Sequence, residues 1–412
     1  MHLHYHLISQ LVDALVDTMA RGFYVDKVIE RRFKSHPKWG ARDRRMFAES
    51  VYEIVRWWRW HWHLAGLPDA ECLIPEKITL ERAWLVWGAY WCSKTQEVPQ
   101  FVECQNLDAG EISDREEEIV APAIRASVPD WLNQLGKNQI GEGWPDLIRA
   151  LNRPADVFLR ANTVKIQVKP LKLNLAKEEI EANLVPGVPD ALVLTKRQNV
   201  FKSQCFFNGL FEVQDGGSQL IAPFLQVEPG MKVVDACAGA GGKALHLACL
   251  MKNQGNIVAL DIHQWKLDEL AKRYRRNKIG IIEPRLITGP SVIAKLNKKA
   301  DRVLLDVPCS GTGVLRRNPD AKWKLTREEL DRLTKLQAEI LRDYSQMVKP
   351  GGKLVYATCS ILPMENRKQI DAFLKEHGDE WTLEDEETWT PNKNGFDGFY
   401  AARLLRKELP KA

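Results

Sequence analysis

From about residue 216 onward, short apolar runs alternate with helical stretches, and that alternation leaves few architectures open to the second half of this chain. The runs are KVVDAC (232–237), NIVALDI (256–262), RLITG (285–289), RVLLDVP (302–308) and KLVYATC (353–359). Each is nearly continuous in apolar residues, as in strands buried on both faces. Strands of this kind joined by helical crossovers form a parallel sheet covered by helices on both sides. GFYAARLLR (398–406) is expected to add a last, edge strand. Ligands of such sheets sit outside the carboxyl ends of the strands.

The first 145 residues have another character. QLVDALVDTM (10–19) and MFAESVYEIVRWWRWHW (46–62) carry apolar residues at three- and four-residue steps, which predicts helices. Ten of the chain's fourteen tryptophans fall here. Trp84, Trp87 and Trp91 share one helical face and are expected in a core. Trp57, Trp58, Trp60 and Trp62 cannot all face one way, so some are expected to be exposed. ECQNLDAGEISDREEE (103–118) reads as an acidic loop between helices. Between about 155 and 215 the pattern changes again. DVFLRANTVK, ALVLTK and NGLFEVQD resemble strands, and KEEIEANL (177–184) resembles a helix, which together predict a small α+β insert.

A chain of 412 residues exceeds one ordinary core. Its net charge of +5 is a mild excess over that length, so local clusters matter more. Basic residues crowd 31–45, 266–278 and 316–324, and such patches track phosphates when exposed. The eight cysteines show no CxxC spacing, which argues against a zinc site or a disulfide framework. His2, His4, His6, His61 and His63 lack partner carboxylates or cysteines at ligand spacing, so no metal is expected. Free thiols imply a reducing compartment. No apolar run reaches 18 uncharged residues, so no membrane span is expected and the chain is read as cytoplasmic.

The chemistry concentrates at strand ends. The first strand runs into ACAGAGGKAL, where Gly239, Gly241 and Gly242 permit a sharp turn and close approach to a ligand. The spacing is not that of a P-loop. Asp261 ends the next strand twenty residues past Gly241, where an acid accepts hydrogen bonds from ribose hydroxyls. The pair favours an adenosine-bearing cofactor. Asp306 closes the fourth strand, facing the same cleft, and Cys309 follows it. Cys359 ends the fifth, adjacent strand, so both thiols are expected in one cleft. Cys205, Cys237 and Cys249 read instead as small buried hydrophobes. A thiolate adding to carbon 6 of cytosine makes carbon 5 nucleophilic enough to take a methyl group, and a second thiol helps release the product. The residues therefore suit cytosine-5 methylation of a base drawn out of its stack.

These motifs carry a resemblance. LRANTVK (159–165), VQDGGSQL (213–220), DACAGAGGK (235–243), LDIHQWKL (260–267), LDVPCSGTG (305–313), RRNPDAKWK (316–324), KPGGKLVYATCSILPMEN (349–366) and FDGFYAARL (396–404) resemble the RsmB-type (NOL/NOP/SUN) RNA cytosine-5 methyltransferases. The resemblance implies an α/β fold, a Rossmann-like class I SAM-dependent methyltransferase domain over 216–412. Before it come a small α+β, RRM-like subdomain over 150–215 and an all-helical, NusB-like RNA-binding domain over 1–145. It further implies S-adenosyl-L-methionine held by Cys237, Ala238, Gly239, Ala240, Gly241, Gly242, Lys243 and Asp261, with Asp306 at the reactive end. Cys359 would be the nucleophile, Cys309 the releasing thiol, and Arg160 and Asn162 substrate-binding residues. Ribosomal RNA of the 16S type is the first expected substrate and transfer RNA the second, with the protein acting as a monomer. Two features depart from the family: AGAGG replaces the usual APGG, and Gly289-Pro290 stands where many members carry an aspartate near the adenine. Two other readings stay open. A DNA cytosine-5 methyltransferase would use Cys309, which follows Pro308. A ribosome-assembly factor would keep the fold without catalysis.

Overall fold

The structure, a computed structural model, describes residues 4–408. The chain forms two compact units: residues 1–153 with 315–326, and residues 154–314 with 327–412.

The first unit is helical. Tyr5–Met19, Val25–Ser35, Ala41–Arg56, Trp58–Leu64 and Leu80–Thr95 surround a core that includes Leu11, Phe47, Val51, Trp58, Trp62, Trp84 and Trp87. The periodic run over 46–62 is two helices, broken at Trp57 (φ −108°, ψ 28°). The break turns both Trp58 and Trp62 into the core and leaves Trp57 and Trp60 half-buried. Each buried indole finds an acceptor, Trp58 on the Cys72 carbonyl and Trp62 on that of Pro68, as a desolvated N–H requires. Trp84 and Trp87 are buried as expected, and Trp91 is half-buried against Trp87. The acidic stretch expected to be a loop instead contains a helix, Ala109–Glu117. Asp108 caps it by accepting from the Glu111 amide, and capping is what an acid at that position contributes. Of the histidines weighed as ligands, His2 lies outside the described residues. His61 is buried against Tyr90, and burial with the nearby Lys94 charge holds its pKa down to about 3.

Residues 315–326 complete this unit. Arg56 donates to the carbonyls of Leu315 and Arg316. The Lys322 ammonium donates to the Arg56 carbonyl and to Asn152 Oδ1, each at 2.8 Å, and the Trp323 indole donates to the Val55 carbonyl at 2.7 Å. Arg316 and Lys322 are buried, so the basic cluster over 316–324 is not the open phosphate-facing patch its composition suggests. Desolvation, then the charge of Arg56, pulls the Lys322 pKa well below its ordinary value.

The second unit holds two sheets. In the smaller, β1 (Phe158–Ala161), β2 (Ala182–Leu184), β3 (Ala191–Leu194) and β4 (Phe211–Val213) are antiparallel in the order β2-β3-β1-β4, with helix Val168–Lys177 packed on them. The helix expected over 177–184 is absent. The helix ends at Lys177, and Glu179 adopts a left-handed φ of 59° that turns the chain into β2. Glu178, acidic as a helix start would be, accepts instead from the amides of Gln204 and Cys205 in the first turn of helix Gln204–Phe207, whose N-cap is Ser203.

The larger sheet contains β5 (Lys232–Asp235), β6 (Asn256–Asp261), β7 (Ile282–Leu286), β8 (Ala300–Asp306), β9 (Val348–Thr358), β10 (Trp381–Trp389) and β11 (Phe399–Arg406) in the order β10-β11-β9-β8-β5-β6-β7. The five strands from β9 to β7 are parallel, and β11 runs antiparallel to both its neighbours, β9 and β10. Both faces are covered. Leu304 of β8 packs with Leu245, Leu270 and Val355 on one face, and its neighbour Leu305 packs with Ile340, Leu354 and Ile370 on the other. β11 is not the edge strand expected. It lies between β9 and β10, and β10 (WTLEDEETW) forms the edge. Charges along an edge strand protect it from pairing with another chain, and those charges hid β10 in the sequence. Chain order reverses at β5, which has β8 on one side and β6 on the other; that is where a ligand crevice opens in such sheets.

Candidate active site

The crevice is built from the ends of β5, β6, β8 and β9. After β5 the loop over 236–241 turns sharply, with left-handed φ at Gly239 (54°) and Gly241 (83°). Helix Gly242–Leu250 follows directly. A side chain on Gly241 would meet Leu270 at 2.1 Å, whereas one on Gly239 or Gly242 would meet nothing within 4 Å. The loop is thus tight on its protein side and open on the other. Its outline is held from several directions. Asp261 accepts from the amides of Gly239 (3.0 Å) and His263 (2.8 Å). Arg273 donates to the Ala240 carbonyl and Arg160 to that of Gly242, both at 2.7 Å.

The expected substrate residues sit elsewhere than on a substrate surface. Arg160 and Asn162 are each 2% exposed. Asn162 donates to the carbonyls of Gly209 and Asn277, and Arg160 to the loop. Arg160 thus braces the glycine loop from behind, while Asn162 ties the Gly209 turn to the end of the helix that carries Asn277. Arg273 and Arg276, part of the basic cluster over 266–278, pair with Glu212 and so are not open to phosphates. Cys205 and Cys249 are buried as expected; Cys237, in the loop, is only partly so.

Lys243 places its ammonium 2.5 Å from Asp306. Burial works against that charge, but the Asp306 carboxylate outweighs it and the Lys243 pKa is raised. Asp306 is followed by the Cys309 loop, and Cys359 follows β9. The two sulphurs are 3.3 Å apart and hydrogen-bonded. That bond, burial and the negative charges of Cys359 and Glu365 push the Cys309 thiol well above the ordinary cysteine range.

Three residues here went unread in the sequence. Asp235, at the end of β5, is 1% exposed and neither carboxylate oxygen has a hydrogen-bond partner. Burial, then the charge of Asp306, raises its pKa to about 7. Its signal was present, as the acid directly before the glycine loop. Ile262 and Trp265, beside Asp261, are both 64% exposed and offer an apolar surface at the crevice.

Residues 222–405 match the family described as 16S rRNA methyltransferase RsmB/F, and residues 128–201 match the ferredoxin-like domain of RsmF/B-like methyltransferases. The chain is 34% identical to the probable ribosomal RNA small subunit methyltransferase B of Synechocystis, over 95% of this chain and 97% of that one. The chain belongs to the RsmB/F methyltransferase family. Within that family it is also 34% identical to the ribosomal RNA small subunit methyltransferase B of Shewanella oneidensis, over 68% of this chain and 67% of the relative. Among solved structures, that of PH0851 superposes with a TM-score of 0.77 at 26% identity, covering 98% of this chain and 99% of the other.

A member of this family is a methyltransferase whose cofactor is S-adenosylmethionine, and the residues present fit that molecule. It carries an ammonium, a sulfonium and ribose hydroxyls. The crevice presents the carboxylates of Asp235, Asp261 and Asp306 at three strand ends, one of them buried and unpartnered. The loop is open where Gly239 and Gly242 lack side chains. The departure in AGAGG is accommodated: Ala240, in the place of the proline, is half-buried with its carbonyl accepting from Arg273, and the neighbouring Gly239 takes a left-handed φ of 54°.

Proposed function

We propose that this methyltransferase modifies carbon 5 of a cytosine in small-subunit ribosomal RNA through a transient bond from Cys359 to carbon 6. The observation that carries the reading is the pair of thiols 3.3 Å apart at the ends of adjacent parallel strands, beside the Lys243–Asp306 pair. When bound, S-adenosylmethionine supplies an electrophilic methyl group on a sulfonium. Asp235, Asp261 and the loop from Cys237 to Lys243 hold it. Asp306, anchored by Lys243, faces the reactive end and orients the base edge or the cofactor's amino group.

Cys359 acts as a thiolate. Its sulphur bonds carbon 6, and the electron pair of the 5,6 double bond becomes available at carbon 5. After methylation the proton on carbon 5 goes to a base, its electron pair restores the double bond, and the carbon–sulphur bond breaks. Cys309, protonated at the start and in contact with Cys359, serves that release. The target base is flipped from its stack to reach the thiols. The helical residues 1–145 bind RNA, with Arg31, Lys34, Lys38, Arg42 and Arg45 exposed on that unit. The small sheet acts as an RRM-like subdomain. The protein works as a monomer in the cytoplasm, where small subunits are assembled.

The test compares two variants on unmethylated 16S ribosomal RNA and on transfer RNA. Cys359→Ser is expected to abolish methyl transfer. Cys309→Ser is expected to accumulate a covalent protein–RNA adduct on a denaturing gel. The reverse pattern would assign the nucleophile to Cys309, as in a DNA-type enzyme. Absence of S-adenosylmethionine binding by calorimetry would favour an assembly factor.

A further inference from the structure

Glu365 lies six residues beyond Cys359 and is fully buried, and the partners that reach its carboxylate among the described residues are neutral. Four neutral donors converge on its carboxylate. Oε1 accepts from the Ser310 amide at 2.8 Å and from Gln337 Nε2 at 2.9 Å. Oε2 accepts from the hydroxyls of Ser310 and Ser360. Those serines are the residues directly after Cys309 and Cys359. One carboxylate therefore ties together the two turns that carry the thiols. Gln337 strengthens the tie by also donating to the Pro308 carbonyl at 2.9 Å, on the other side of Cys309.

We propose that Glu365 is a positioning residue for product release, holding the Cys309 turn in register with the Cys359 turn. This rests on the reading of the two thiols given above.

The argument is one of cost and of timing. Burying a carboxylate without a cation is expensive unless every lone pair is used, and an apolar side chain would fill a purely structural position at lower cost. What the charge adds is a common acceptor for two separate turns. Before reaction the turns are also joined by the contact between the sulphurs. Once Cys359 bonds the base, that contact weakens, because a thioether sulphur is a poorer hydrogen-bond acceptor than a thiolate. The carboxylate is then what keeps Cys309 close to the bond that must break. The same charge contributes to keeping the Cys309 thiol protonated at the outset.

The test uses the full-length protein with transcribed 16S ribosomal RNA and S-adenosylmethionine. Glu365→Gln keeps the shape and the oxygen facing Ser310 N and Gln337, but replaces the oxygen shared by the two hydroxyls with an amide donor. It is expected to slow multiple turnover at least tenfold while raising the covalent adduct on a denaturing gel severalfold above wild type, toward the level of Cys309→Ser. Ser310→Ala, which keeps the carboxylate and removes one cross-tie, is expected to accumulate adduct as well, and it decides the matter if Glu365→Gln does not fold. Wild-type turnover without adduct, or slow turnover without adduct in folded variants, would overturn the proposal. If Cys309→Ser itself forms no adduct, the reading of the thiol pair fails first and the role of Glu365 falls with it.

Discussion

Asp235 is the group in the catalytic unit least reconciled to its surroundings. It is buried, it has no hydrogen-bond partner, and it sits near the charge of Asp306. Its pKa rises from an ordinary 3.8 to about 7. In the unfolded chain the proton leaves near pH 4, and in the folded one it is held until about pH 7. The folded state therefore binds the extra proton across that interval, and stability falls as pH rises through it. Below pH 4 the group costs nothing by this route, and above about 7 the full penalty applies. Asp235→Asn should thus be more stable than wild type at pH 8, on the order of 2–4 kcal/mol from the size of the shift, and no more stable at pH 4. Thermal unfolding at the two pH values checks this. The same variant should bind S-adenosylmethionine more weakly by calorimetry, since a buried carboxylate is exchanged for a neutral amide. Neither Asp235 nor Glu365 stands out among the acids of the sequence. Their importance comes from burial, and burial depends on what packs around them.

At the scale of elements, the glycine loop shows how little tolerance the β5 turn has. Gly241 needs a left-handed backbone and lies where a methyl group would strike Leu270 at 2.1 Å. Gly241→Ala adds strain on both counts. The expected result is a loss of about 1–3 kcal/mol of stability and at least a tenfold weaker S-adenosylmethionine affinity, measured by denaturation and calorimetry. The parallel strands were legible because their apolar runs are continuous. β10 was not, because its acids answer to an edge rather than to a core. The segment over 177–184 misled for a related reason: Glu178 does serve a helix start, but by accepting from the first amides of the distant helix Gln204–Phe207. A local pattern records an acid suited to a helix start and not which helix it serves.

For the molecule as a whole, the division into units does not follow chain order. Residues 315–326 leave the catalytic unit just after the Cys309 turn and complete the helical one. Lys322, Arg316 and Leu315 are buried there. A fragment made of residues 154–412 should therefore expose a buried lysine and an apolar segment, and it should aggregate in size-exclusion chromatography. Replacing 315–326 in that fragment with a Gly/Ser linker should restore a soluble species. If the unmodified fragment is as soluble as the full chain, the segment does not need its helical partners.

By itself the sequence determined the doubly covered parallel sheet, the glycine turn, the thiols at neighbouring strand ends and the helical character of the first third. Each of these is written in local chemistry: continuous apolar runs, absent side chains, helical period. Tertiary structure alone decided that Arg160 and Asn162 are interior, that the cluster at 316–324 is interior, and that one carboxylate joins the two cysteine-bearing turns. Those outcomes depend on which distant groups share a desolvated space, and desolvation is a property of the packed chain rather than of any stretch of it.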